Sequence, residues 1–309
     1  MEKAVTFGRN HTLVGIVSEP PTPPQQQTPA LLLLNANVLH RVGPNRLYVD
    51  LARRFSDQGV YALRFDLSGV GDSPPRQDNE SYTQRAISEI RQAMDYMAAH
   101  YGCTRFIVAG LCAGADSGYN TALHDPRITG LVLLDGYGHR NPGYYLHHYL
   151  PRTVQLQVWR NLVRRIGKKI FRKTATGHEA NQPSAQQIDT FYEGVRAFPT
   201  KSQMTQDLNT LIQRHTQLLW IYTGGVENYY NYEKQFRDSY KIADRDTHIE
   251  VHLFKDAEHT YTNPAHRQQA IDTILAWYRN KFPAPVEATA IAHHRDHNQT
   301  YPTKQQAAR

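Results

Sequence analysis

Cysteine is scarce in this chain: Cys103 and Cys112 are the whole supply in 309 residues. Two thiols cannot build a disulfide framework or a four-cysteine zinc cage. Long apolar runs are missing as well, and none approaches the roughly 18 residues that a membrane-spanning helix needs. Residues 1–10 are polar and run into strand-like sequence, without the apolar core of a secretory signal. A soluble cytoplasmic protein of a reducing compartment is therefore expected. Disorder is excluded by a 40% hydrophobic content, and the length suits one large α/β domain or two small ones.

What is present is an alternation. Apolar runs at 30–34, 60–65, 105–109, 130–134, 217–222 and 249–254 are separated by amphipathic stretches at 45–58, 82–100, 113–123 and 265–281. Near-continuous apolar strands alternating with helices predict a mostly parallel, twisted sheet covered on both faces. The interval 136–209 has no convincing strand. It predicts a helical lid inserted into a core made of 1–135 and 210–282, sitting over the carboxyl ends of the strands where open α/β sheets bind ligands. Residues 283–309, rich in proline, histidine and glutamine, read as a flexible tail.

The strongest local motif is Gly110-Leu111-Cys112-Ala113-Gly114, directly after one strand and directly before a helix. That is the context of a nucleophile elbow, G-x-S-x-G, with cysteine at the serine position. Glycines two places either side leave out the Cβ atoms that would keep strand and helix apart. A buried cysteine at a tight strand–helix turn is the bland alternative. Cys103 precedes a strand without any motif and reads as packing.

A nucleophile of this kind needs a base, and the base needs an acid to orient it. His259 lies after the last strand, on a loop before the final helix. Glu227 follows Gly224-Gly225 after the strand at 217–222, and Asp135 at the end of the preceding strand is the alternative acid. The oxyanion donors expected are the Ala113 amide, which opens a helix, and the amide of Asn37 or a neighbour. Arg41 and Arg46 are candidates either for an anionic substrate or for surface ion pairs. A dinucleotide enzyme is disfavoured, because Gly69-Val70-Gly71 is followed by Pro74 where a third glycine is needed.

Four segments carry a resemblance: Arg41-Val42-Gly43 with Arg46; Leu63-Arg64-Phe65-Asp66 with Gly69 and Gly71-Asp72-Ser73; the elbow; and Tyr144 with His148-Tyr149-Leu150. Over roughly 10–282 the chain resembles the α/β-hydrolase superfamily, and within it the hydrolases encoded beside exosortase systems in exopolysaccharide loci. The resemblance implies the α/β-hydrolase fold, a Cys–acid–His triad, an oxyanion hole after the strand at 30–34, and no cofactor. It supplies no substrate. The usual glycine after that strand is replaced by Asn35-Ala36-Asn37.

Thiolate chemistry points to an ester or thioester substrate handled through an acyl-cysteine, with an acyltransferase or a catalytically idle binding scaffold as alternatives. Residues 152–173 hold eight Lys or Arg and no acid, interleaved with apolar positions at helical spacing. Those eight exceed the whole-chain excess of +7. The stretch is a candidate to dock an acidic acyl-carrier protein or to lie on an anionic membrane surface, the inner membrane included. Charge confined to one place, with no recognised module, does not fit nucleic-acid binding.

Overall fold

Every residue of the apolar run Ala30–Leu34 is buried, Leu31 and Leu33 on one face of the sheet and Leu32 and Leu34 on the other. A strand that is apolar at every position belongs at the centre of a sheet covered on both sides. The computed structural model of the chain describes residues 1–24, 27–154, 198–242 and 246–283. It contains one eight-stranded sheet, built from β1 (Glu2–Phe7), β2 (Leu13–Ser18), β3 (Ala30–Leu34), β4 (Ala62–Phe65), β5 (Phe106–Leu111), β6 (Ile128–Leu134), β7 (Gln217–Thr223) and β8 (Ile249–Phe254). The order is β1-β2-β4-β3-β5-β6-β7-β8. β1 and β2 enter antiparallel, and everything from β4 onward in that order is parallel.

Helices α1 (Leu47–Asp57) and α7 (Pro264–Lys281) cover one face, burying Leu51, Phe55, Ile274 and Trp277 in the apolar cluster that also holds Leu31 and Leu33 of β3 and Leu219 and Ile221 of β7. The other face carries α2 (Tyr82–Tyr101), α3 (Ala113–His124), α5 (Lys201–Gln213) and α6 (Gln235–Tyr240). The boundaries follow local chemistry. Ser81 and Gln84 cap α2 reciprocally, and Gly102 closes it in a left-handed conformation. Asn263 caps α7, whose first residue is Pro264.

The interval 136–209 is described only at its ends. It opens with α4 (Pro142–Val154), whose base is tied to the segment after β7 by the Tyr144 hydroxyl donating to the Asn228 carbonyl at 2.7 Å. Residues 201–209 belong to α5, which lies on the sheet with Met204, Leu208 and Leu211 buried. The basic stretch lies outside the described residues from 155 onward, and so does the tail beyond 283. Among the described residues no helix is long and apolar enough to cross a membrane.

Candidate active site

β5 delivers Cys112 to the carboxyl edge of the sheet, and α3 leaves from the next residue. Its backbone has φ 55° and ψ −118°, a conformation that side-chain-bearing residues avoid and that marks a sharp strand-to-helix turn. The flanking glycines make the turn possible. A Cβ on Gly110 would lie 2.4 Å from the Gly114 carbonyl carbon, and one on Gly114 would lie 2.5 Å from the Asn35 oxygen. Backbone bonds fix the rest: the Cys112 amide donates to Leu134 O at 2.8 Å, and the Leu111 amide donates to the buried Tyr48 hydroxyl at 2.9 Å. Cys112 is half-buried at the start of a twelve-residue helix, where the aligned peptide dipoles favour negative charge.

His259 arrives on the loop between β8 and α7. Its Nδ1 is 2.7 Å from Asp135 Oδ2, and its ring lies close enough to Cys112 for that side chain to act on its protonation. With Nδ1 engaged by the carboxylate, Nε2 is the nitrogen left for sulfur. Burial disfavours the imidazolium, but Asp135 and Cys112 outweigh it and push the His259 pKa up to about 10.

Asp135 is fully buried directly beyond the end of β6, with its own φ at 49°. Three donors satisfy the carboxylate: His259, the Thr223 amide at 2.7 Å and the Thr223 hydroxyl at 2.8 Å. Thr223 is in turn held by the Gly225 amide at 3.2 Å. A buried carboxylate without such partners would be strongly disfavoured.

The acid on the histidine is thus Asp135 and not Glu227. Gly224 and Gly225 pack so tightly on the His259 loop that a Cβ on Gly225 would lie 2.7 Å from His259 Cβ, and one on Gly224 would lie 2.1 Å from the Lys255 oxygen. Backbone fills the space through which residue 227 would have to reach back, and the short 3₁₀ turn Gly224–Val226 carries Glu227 out to the surface. Thr223, which the sequence reading passed over, is the residue that β7 contributes.

After β3, residues 36–39 form a tight turn in which the Leu39 amide donates to Ala36 O at 3.0 Å and Asn37 has φ 53°. Asn37 is exposed at its tip, and the Asn35 carbonyl abuts Gly114 beside the elbow. Ala113 is the first residue of α3, so its amide is among the helix donors that have no intrahelical acceptor. Arg41 is consumed in ion pairs with Asp66 and Asp72. Arg46, in a left-handed conformation, is exposed at the N-terminus of α1.

The fold recurs in solved structures of low sequence identity. A hypothetical protein from Pseudomonas aeruginosa superposes with a TM-score of 0.54 at 16% identity, covering 91% of this chain and 94% of its own. An a/b serine hydrolase without lid from Xanthomonas campestris gives 0.52 at 13% identity over 92% and 96%. DcsB, solved in complex with its substrate analogue, gives 0.51 at 13% over 91% and 100%. No curated protein matches the sequence significantly. A family model described as serine aminopeptidase, S33, matches residues 38–264, a span that holds the elbow, Asp135 and His259. The chain belongs to that family of α/β hydrolases, with a cysteine at the elbow.

Proposed function

We propose that the protein is a cysteine-dependent hydrolase of esters or thioesters that works through an acyl-Cys112 intermediate. The observation that carries the reading is the His259–Asp135 bond at 2.7 Å, with the acid fully buried and the half-buried Cys112 beside the imidazole at the elbow. In this reading the Cys112 thiolate attacks the acyl carbonyl carbon, and the oxyanion so formed is held by the Ala113 amide and an amide of the 35–37 loop. His259, as imidazolium, protonates the departing alcohol or thiol. The neutral ring then takes a proton from water, which attacks the acyl-cysteine and releases the acid. Asp135 keeps the imidazole in the tautomer and orientation that both steps need.

Several features support an acyl ester rather than a peptide. A thioester on the enzyme is close in energy to an incoming thioester, so acylation from such donors needs little driving force, whereas an amide requires strong protonation of its leaving group. Val38 and Leu39, exposed on the loop beside the elbow, offer an apolar rim for an acyl chain. Transfer of the acyl group to an alcohol or amine, in place of water, is the second product route of the same intermediate.

The test is turnover of short aryl esters and acyl-CoA by Cys112→Ala, Cys112→Ser and His259→Ala. Loss of turnover in the alanine variants is expected. Unchanged turnover in Cys112→Ala would overturn the assignment.

A further inference from the structure

The 35–41 loop has to hold its amides still if it is to receive an oxyanion, yet it contains no glycine and none of its residues lies in the eight strands. Its support comes from one carboxylate. Asp66, at the carboxyl end of β4 and fully buried, accepts from Asn35 Nδ2 at 3.1 Å and from the Arg41 amide at 2.6 Å, the two ends of the loop. It also accepts from the Arg41 guanidinium and from the Asp72 amide at 3.2 Å. Asn35 completes the brace. Its Nδ2 also donates to Leu39 O at 2.9 Å, and its Oδ1 accepts from the Leu67 amide at 2.6 Å.

The Gly71-Asp72-Ser73 motif serves the same carboxylate. A Cβ on Gly71 would lie 2.3 Å from Asp66 Oδ2, so only glycine leaves the carboxylate its place. Asp72 accepts from Arg41 Nη2 at 2.5 Å. Ser73 donates to the Asp66 carbonyl at 2.7 Å and accepts from the Val14 amide at 2.9 Å, anchoring the motif to β2.

We infer that Asp66 and Arg41 are positioning residues for the oxyanion loop, fixing the 35–37 amides against the elbow without touching substrate. The link between brace and nucleophile is the Asn35 carbonyl, which lies against Gly114, two residues past Cys112. A shift of the loop by about 1 Å therefore moves one wall of the oxyanion site. Effects of such misplacement reach about 100-fold in rate. This inference rests on the acyl-cysteine reading, and it separates two properties of Cys112. Acylation builds an oxyanion, while alkylation by iodoacetamide forms an S–C bond, expels iodide and builds none.

The experiment compares the two rates in the full chain: the burst of aryl alcohol from a short aryl ester, and the alkylation of Cys112 by iodoacetamide. Asp66→Asn is expected to lower the burst rate about 100-fold and Arg41→Lys about 10-fold, with alkylation within about twofold of wild type. Asp72→Asn alters a residue that is 65% exposed and remains informative if Asp66→Asn fails to fold; about a threefold loss is expected. Burst rates within about twofold of wild type in every folded variant would overturn the inference, and so would alkylation falling in step with acylation. A wild-type protein that forms no acyl-Cys112 at all would overturn the proposed function and this inference together. A normal wild-type burst that the variants leave unaffected would overturn this inference alone.

Discussion

The chain's two cysteines lie just beyond opposite ends of the same strand, β5. Cys103, before its amino end, is buried, and its thiol is pushed up to about 11 by that burial alone. Its thiol donates to the Tyr101 carbonyl at 3.8 Å. Cys112, beyond the carboxyl end, is half-buried, opens a helix and lies beside a histidine that is itself held by a buried acid. Residue type is the same at both ends. What differs is that the carboxyl edge of a parallel sheet gathers helix N-termini and the loops after β6 and β8, whereas at the amino edge burial dominates the thiol.

The comparison breaks most sharply under substitution. Cys112→Ala should lower kcat for aryl-ester hydrolysis by about 10⁴-fold or more. Cys103→Ala should leave kcat within about twofold and cost about 1 kcal/mol in a urea titration, the signature of a packing residue. Next in size, Asp135→Asn should lower kcat by about 10³- to 10⁴-fold while Glu227→Ala changes it by less than about twofold. The reverse order would restore Glu227 as the acid.

Chemical labelling sharpens the contrast. At pH 8 a thiol with a pKa of about 11 is ionised in about one molecule in a thousand, so iodoacetamide should modify Cys112 at least about 100-fold faster than Cys103 in the folded protein, read by peptide mass. The smallest effect is on stability. Folding raises the His259 pKa from 6.5 to about 10, so the folded state keeps a proton that the unfolded chain releases earlier. The stability this contributes is complete below about pH 6.5, declines between there and about 10, and is gone above. Urea titrations of wild type and Asp135→Asn should therefore converge as the pH rises through 10, and a gap that widens would contradict the ion pair.

Six of the eight strands were legible because each is an apolar run, 30–34 and 249–254 falling where the pattern predicts, and helices α2 and α7 differ from it by a single residue; β1, exposed at four of its six positions, and β2 gave no such run. The elbow and His259 were legible too, since motif and chain order select them. The acid was not. Asp135 and Glu227 both follow strands, and only packing decides between them. The signals that favour Asp135 were subtle: it abuts its strand with no spacer, Thr223 ends the neighbouring strand with a hydroxyl to offer, and the Gly-Gly pair before Glu227 marks close backbone contact. Arg41 illustrates a different limit. A lone basic residue beside a site reads equally as a substrate contact or as half of an ion pair, and its carboxylate partners, 25 and 31 positions away, become visible only when β3 and β4 lie side by side.

The central claim is that the thiol at the carboxyl end of β5 carries the acyl group. Intact and peptide-level mass spectrometry after incubation with acyl-CoA tests it most directly, using His259→Ala alongside wild type to slow release. The account predicts one acyl adduct per chain, located on Cys112 and absent in Cys112→Ala. An adduct on Cys103, or none on either thiol with any acyl donor, would contradict it.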